Sequence, residues 1–450
     1  MPYESLPSLL ALLISMTPPD ASETPAQTPT PAESRRLMIE AGEQRNLLSL
    51  AVHHIVLRIG WIFKTESVIM PAFVDTIAGA GWVRGCLPVL NRFGQSVPPL
   101  LFADRLRRAH QKKRVLIVTS LLMALPFLTL AAIWFTLEEK RQGWLPAVFL
   151  LLYLAFFSVT GLNQLVFGTI QGKLIRPNRR GRLLSLSGTF GAVLALLFAW
   201  LLLRNWLTLP DGGFGYIFGF TGMGFVAAGL CCLPIVEPVD DEPRAHSSKN
   251  RHFHAAWETF SQDTHFRRLA TVSMLFVTVQ LLFPHYQALG RRNLPSGGVE
   301  LMVWVIAQNA GTALFSLAAG TIADNFGYRL VVRLEAFLAA ATPLLAILLA
   351  SGWIADGMRY YWLTFFMLGL VPVTFKTLTN YTLEFADPQQ HPRYISTLKL
   401  CMAIPFCLSP LVGLLVDWVG FQLVFACVAV VITAAGVLTF RLSEPRFESP

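Results

Sequence analysis

The feature that most constrains this chain is a series of hydrophobic runs about 20 residues long, the helix length that crosses a bilayer. Twelve can be counted, near 47–72, 79–102, 114–136, 145–172, 182–206, 213–236, 266–289, 299–322, 328–351, 358–382, 393–416 and 419–441. They lack the alternation of barrel strands, and lipid offers an open backbone no partners, so each is read as a helix. Composition points the same way. Of 450 residues, 54% are hydrophobic and 14% charged, whereas a soluble protein carries about 25% charged residues. That leaves too little polar surface for a large soluble enzyme, and it excludes a disordered chain or a disulfide scaffold. The expected class is an all-α membrane protein.

The distribution of basic residues sets the orientation. Of 36 Lys and Arg, 24 fall in the two tails and the even-numbered connections, six in the odd-numbered connections and six inside spans. Cytoplasmic loops are the Lys/Arg-rich ones. Both termini are therefore expected in the cytoplasm, and the net charge of +9 needs no nucleic acid to explain it. The expected location is the plasma membrane. The domain reading is a disordered, Pro/Thr-rich tail over 1–44, a six-helix bundle over 45–236, a cytoplasmic loop over 237–265, a second bundle over 266–441 and a tail over 442–450. Within the central loop, Phe253, Trp257 and Phe260 recur at i, i+4 and i+7, a pattern for a short helix lying on the membrane surface.

No metal or cofactor is expected. The central-loop histidines His246, His252, His254 and His265 have no Cys or paired carboxylate beside them and read as solvated. All six cysteines lie in hydrophobic runs without a CxxC and read as packing residues. HExxH, GxxxxGK[ST] and GxSxG are absent, and the Gly219–Gly224 stretch lies within a span. The chain is not expected to be an enzyme.

The two halves repeat weakly. Leu100-Leu101-Phe102-Ala103-Asp104-Arg105-Leu106-Arg107-Arg108 follows span 2, and Gly320-Thr321-Ile322-Ala323-Asp324-Asn325-Phe326-Gly327-Tyr328-Arg329 follows span 8, their aspartates 220 residues apart. Arg182-Leu183-Leu184-Ser185 matches Arg393-Tyr394-Ile395-Ser396 at 211, and Glu237-Pro238 matches Glu444-Pro445 at 207. With twelve spans in two sixes, these motifs make residues 45–445 resemble the major facilitator superfamily, whose motif reads roughly G-x-L-A-D-R-x-G-R-R. Asp104, Arg105 and Arg108 match in the first copy; Leu100 and Arg107 replace its glycines. In the second copy Gly320, Ala323, Asp324, Gly327 and Arg329 match, and Asn325 replaces the arginine. The resemblance implies two pseudo-symmetric bundles, secondary transport by alternating access, and a cytoplasmic latch formed by Asp104, Arg105, Arg108, Asp324 and Arg329. A carboxylate at a helix end can pair with arginines or a helix N-terminus. The plainer reading is that these charges only stop the helix at the surface.

Charges inside spans are costly and normally face protein or water. Span 1 carries His53, His54, Arg58, Lys64 and Glu66, with His54, Arg58, Trp61 and Thr65 on one helical face. Span 2 adds Arg84, Asn91 and Gln95 on one face, with Arg92 beside them. Gln164 lies in span 4, Gln280 and His285 in span 7, Lys376 and Asn380 in span 10, and Gln308 and Asn309 in span 8. Spans 1, 4, 7 and 10 line the cavity in proteins the chain resembles. Arg58, Glu66, Lys64, Arg84, Gln164, Gln280, His285, Lys376 and Asn380 are the candidate substrate-binding residues. Against this stand structural readings: an Arg58–Glu66 pair, interhelical amide bonds, and Arg92 or Lys399 reaching an interface. Deep cations outnumber deep acids, which favours an anionic solute. If protons are coupled, Glu66, His54 or His285 carries them.

The leading expectation is a monomeric, lipid-embedded secondary transporter of a small anionic solute. One alternative is an exporter of amphipathic compounds with a pocket built from the 33 Phe and 11 Trp. Another is a non-transporting receptor or assembly factor with the same fold.

Overall fold

Backbone amides within a bilayer must bond inside their own segment, and every element of the computed structural model is helical among the residues it describes, 31–239, 250–292, 298–387 and 390–444. Among the described residues nine helices are long and apolar enough to cross a membrane: Lys112–Thr136, Leu145–Leu174, Pro177–Trp206, Thr264–Arg292, Val299–Phe326, Tyr328–Ala350, Gly357–Phe385, Arg393–Val419 and Phe421–Arg441. They are spans 3–5 and 7–12. Span 6 is the shorter Phe214–Leu230, and span 2 is the polar Gly81–Arg108, with Pro88, Pro98 and Pro99 inside it. Span 1 is built from Pro31–Ile62 and Ile69–Ile77.

Span 1 differs from its expected form. A continuous helix was expected over 47–72, but the helix stops at Ile62 and restarts at Ile69. The break holds Lys64, Thr65 and Glu66. An unwound turn inside a membrane is tolerated where it lines a cavity or is buried in protein, and here Thr65 Oγ1 accepts the Ile69 N–H at 3.2 Å to start the second half. Helical periodicity therefore applies as far as Trp61 and not beyond it. The helix also begins at Pro31, well ahead of the expected bundle edge at 45. Its early turns are anchored: buried Glu43 accepts the Arg176 N–H at 3.0 Å and pairs with Arg179 at 3.2 Å.

The repeat seen as Glu237-Pro238 and Glu444-Pro445 is a pair of helix caps. The Glu237 carboxylate accepts the N–H groups of Lys112 (3.1 Å) and Lys113 (2.7 Å) at the head of span 3 and pairs with Lys173 at 2.8 Å. Lys113 Nζ in turn donates to the Leu233 and Ile235 carbonyls at the end of span 6. In the other half, Glu444 accepts the Arg329 N–H at 2.9 Å at the head of span 9, beside Gly327 at φ 81°. Loss of a cap costs about 1–2 kcal/mol. Glu237→Ala is expected to lower thermal stability in detergent more than Glu444→Ala, because only the former also breaks an ion pair.

The central segment contains the helix Asn250–Gln262, with Trp257 exposed and stacked on Phe260. His246 and the side chains of Phe253, His252 and His254 lie outside the described residues. Glu258 pairs with Arg393 at 2.9 Å, and Asp263 accepts both the Phe266 N–H (2.9 Å) and the Tyr394 hydroxyl (2.7 Å). The head of span 11 is thus held by acids ahead of span 7, as Glu43 holds the head of span 5. The six cysteines are free thiols.

Most aromatic mass packs inside the bundles. Phe73 meets Trp134, Phe149, Phe214 and Phe218 at centroid distances of 4.8–5.2 Å, and Phe127 and Phe156 continue the cluster at 4.8 Å. Lipid supplies no hydrophobic drive between helices, so such packing is what binds them.

The two bundles meet mainly on the side away from the described chain ends, here the distal side. Span 2 and the distal half of span 11 touch backbone to backbone at Gly81, Gly85 and Gly413. The other side, which carries both described ends, is the terminal side.

Candidate solute cavity

Near the centre of the molecule lies a cavity of about 530 Å³. Its wall includes His54, Arg58, Trp61 and the broken turn of span 1, Gln164 and Phe167 of span 4, and Gln308, Asn309 and Thr312 of span 8.

The broken turn fixes the electrostatics. Lys64 is 1% exposed, and its Nζ lies 3.2 Å from Glu66 Oε1. It is also seated among rings, 3.3 Å from the Trp61 centroid and 4.3 Å from that of Phe157. A buried ammonium is tolerated only with such partners. The other Glu66 oxygen accepts from Asn91 Nδ2, Asn91 Oδ1 accepts from Gln95 Nε2, and Gln164 approaches Gln95 at 3.5 Å. One chain of polar groups therefore links spans 1, 2 and 4. Glu66 is the single carboxylate lining the cavity among the described residues.

Arg58 is not its partner. The structural reading of an Arg58–Glu66 pair fails because the helix break turns Glu66 toward Lys64 and Asn91. The Arg58 stem lies against Gly191 of span 5. Its guanidinium lines the cavity with no hydrogen bond or ion pair among the described residues. On the neighbouring turn His54 bonds Ser187 Oγ at 3.2 Å and stacks on Phe167. His53 is buried and donates Nδ1–H to the Ala228 carbonyl at 2.7 Å, tying span 1 to span 6.

Four expected binding residues, Arg58, Lys64, Glu66 and Gln164, are thus brought together. Five are not. Arg84 lies seven residues from Asn91, about 10 Å along a helix, at the level where the bundles meet. It donates to Asp75, lies 3.8 Å from Asp417 and is 5% exposed. The Gly81 N–H also donates to Asp417, at 2.7 Å. This is a distal gate. His285 belongs to it as well: it is fully buried within reach of the Arg84 charge, and neither ring nitrogen has a hydrogen-bond partner among the described residues. Gln280 accepts from Arg92 at 2.8 Å outside the cavity. Lys376 and Asn380 are exposed on span 10 beyond the cavity wall, which ends at Pro372, and Asn380 donates to the Tyr328 hydroxyl at 3.2 Å.

A larger hollow, about 1080 Å³, opens on the distal face among Lys140, Arg141, Asp211, Arg291 and Arg292 and ends on Asp75 and Arg84. It holds charges of both signs on connections, outside the gate.

The expected latch takes a different form here. Asp324 is exposed and has no polar partner among the described residues. Arg329 meets Glu444 through its backbone N–H, so Glu444 holds this helix head where Asp324 was expected to. The side chains of Asp104, Arg105 and Arg108 lie outside the described residues.

Sequence reasoning did not assign Gln308, Asn309, Trp61 and Phe167 to the site. The adjacent amides of span 8 were visible as polar residues in a hydrophobic run. Only the structure shows Ser67 of span 1 donating to Gln308 across the two bundles.

A twelve-span helical protein with a central, charge-lined cavity and a closed distal gate is a defined architecture. No family model matches the sequence, and no curated protein does. Solved structures do match. The chain is similar to the nucleoside transporter NupG (D323A mutant), with 12% identity, 88% of this chain and 99% of that one covered, and a TM-score of 0.68. It is similar to a peptide transporter POT in complex with sulfate, with 11% identity, coverages of 90% and 97%, and a TM-score of 0.66. A bacterial homologue of the human lysosomal transporter Spinster, in an inward-facing and occupied conformation, is 14% identical, with coverages of 89% and 96% and a TM-score of 0.62. At such identity the likeness carries the fold alone: the chain has the multi-pass helical fold of these structures.

Proposed function

We propose that the protein is a secondary transporter of a small organic anion. It works by alternating access in the plasma membrane, as a monomer, with both termini cytoplasmic. The observation that carries this reading is the free guanidinium of Arg58 in a central cavity whose one acid, Glu66, is already engaged by Lys64. A cavity with surplus positive charge and few competing acids attracts anions, and a guanidinium takes a carboxylate or phosphate in two parallel bonds. With the terminal side cytoplasmic, the structure is inward-open: the distal gate is shut and the Asp324 latch disengaged. The bundles 45–236 and 266–441 then rock about the central segment 237–265, closing that latch as the gate opens. Glu66, with His54 beside the cavity, is the proton carrier in this reading. The sulfate held by the POT structure is in keeping with an anion site in such a fold.

Of the Phe and Trp rings only Trp61, Phe167 and Phe283 line the cavity among the described residues, which weighs against the pocket expected for an amphipathic exporter. The test is thermal stabilisation of the detergent-purified protein by panels of organic anions, neutral solutes and lipophilic cations. A ligand at 100 times its Kd adds about 2.7 kcal/mol. Stabilisation by anions is expected, and Arg58→Ala is expected to abolish it. Stabilisation by lipophilic cations, retained in Arg58→Ala, would overturn the anion reading.

A further inference from the structure

Arg92 was expected either to face the cavity or to reach toward an interface. It does neither. From span 2 of the first bundle it enters a socket made wholly by the second. Its guanidinium carbon lies 4.8 Å from the Phe375 ring centroid and 4.8 Å from that of Phe406, and it donates to Gln280 at 2.8 Å. These three residues come from spans 10, 11 and 7. Two of them sit in short 3-10 segments, Val277–Leu282 and Ile404–Leu408, where spans 7 and 11 change pitch. A planar guanidinium between two aromatic faces suits arginine in a way an ammonium cannot match.

Next to the socket is a small cavity, about 20 Å³, lined by Glu66, Asn91, Arg92, Gln280 and Phe406 among others. Glu66 is close enough for its charge to act on Arg92. The carboxylate therefore stands between two cations: Lys64, which it bonds on the cavity side, and Arg92, which is committed to the other bundle.

We propose that Arg92 is the bolt that holds the distal side closed, and that Glu66 is the element that draws it. While Lys64 and Asn91 hold Glu66, Arg92 stays in its socket. An anion that takes Lys64 releases Glu66 to Arg92, which leaves the aromatic faces, and the bundles part on the distal side. A ligand moves such an equilibrium only through its differential affinity for the two states, and the exchange of partners at Lys64 supplies that difference. Only the identity of the displacing group rests on the anion-transporter reading; the bolt itself rests on the socket.

The test needs no solute. With the six native cysteines replaced by alanine, spin labels at Glu138→Cys and Ala355→Cys, both exposed on distal connections of different bundles, report distal separation by pulsed electron resonance. The parent is expected to give one short-distance population. Arg92→Ala should raise a longer-distance population at least about tenfold, and Arg92→Lys should fall between. Lys64→Met should open the distal side, because Glu66 is freed. Glu66→Gln should keep it shut, and Lys64→Met/Glu66→Gln should return to the parent distribution. Arg92→Ala indistinguishable from the parent, or a double variant as open as Lys64→Met, would overturn the bolt. Failure of every anion to stabilise the protein, with these shifts present, would remove the anion and leave the bolt standing.

Discussion

Gly413→Val is expected to reduce transport in proteoliposomes severely, to as little as about 1% of the parent, while the protein still inserts and remains monodisperse. A side chain at Gly413 would run into the Gly81 carbonyl, and one at Gly81 into the Gly413 carbonyl, with the Trp82 Cα 2.9 Å away. These are backbone atoms on two different bundles. No rotamer relieves the clash, and only separation of span 2 from span 11 does. Overpacking costs up to about 3 kcal/mol, and each 1.4 kcal/mol is tenfold, so the ratio of distal-closed to distal-open protein should fall by up to about 100-fold. The contacts within each bundle are untouched, which is why folding should survive. The check is distal reactivity as well as transport. Ser409, fully buried and lying against Gly85 in the closed gate, should become accessible to a thiol reagent as Ser409→Cys once Gly413→Val is added. Normal transport by Gly413→Val would mean that spans 2 and 11 never need this contact in the working cycle.

The same glycines show why the fold was legible in the sequence and much of the site was not. Span number, helical state and the pairing of halves follow from run length and from offsets such as Glu237 to Glu444. Those properties depend on local composition and on one solvent, lipid. Site membership depends on depth and on where a helix breaks. Arg84 and Asn91 share a helical face, yet one closes the gate and the other binds Glu66, because the bundles converge at one level and splay at the next. On a continuous helix at 100° per residue, Lys64 and Glu66 would fall to either side of the face that carries His54 and Arg58. The turn between Ile62 and Ile69 instead brings them together and leaves Arg58 free. No periodicity argument contains that turn, since nothing in Phe63–Val68 is a proline or glycine. Arg92 was the least legible of all: its socket is made by residues more than 180 positions away in the chain.

The second large effect concerns that turn. Glu66→Ala is expected to lower the stability of the purified protein by up to about 3 kcal/mol: breaking a fully buried ion pair costs about 3–5 kcal/mol, and here Lys64 is 1% but Glu66 28% exposed. With its side chain 1% exposed at the cavity wall, Lys64 would be left with little water to replace the lost carboxylate. The faces of Trp61, Phe157 and Phe156 also surround it, and they offset part of the charge without a counter-ion. Lys64→Met/Glu66→Gln should recover most of that stability, because an apolar chain of similar length suits the ring cradle, and a neutral amide still bonds Asn91. Replacing a buried pair with neutral groups is often neutral or stabilising. Transport should nevertheless remain absent in the double variant, since no carboxylate is left to exchange partners or carry a proton. Thermal unfolding of the three proteins side by side, followed by uptake assays, separates the two roles. Were Glu66→Ala to unfold with the parent, the ion pair would have no structural part to play. Were the double variant to transport normally, Glu66 would have no place in the cycle.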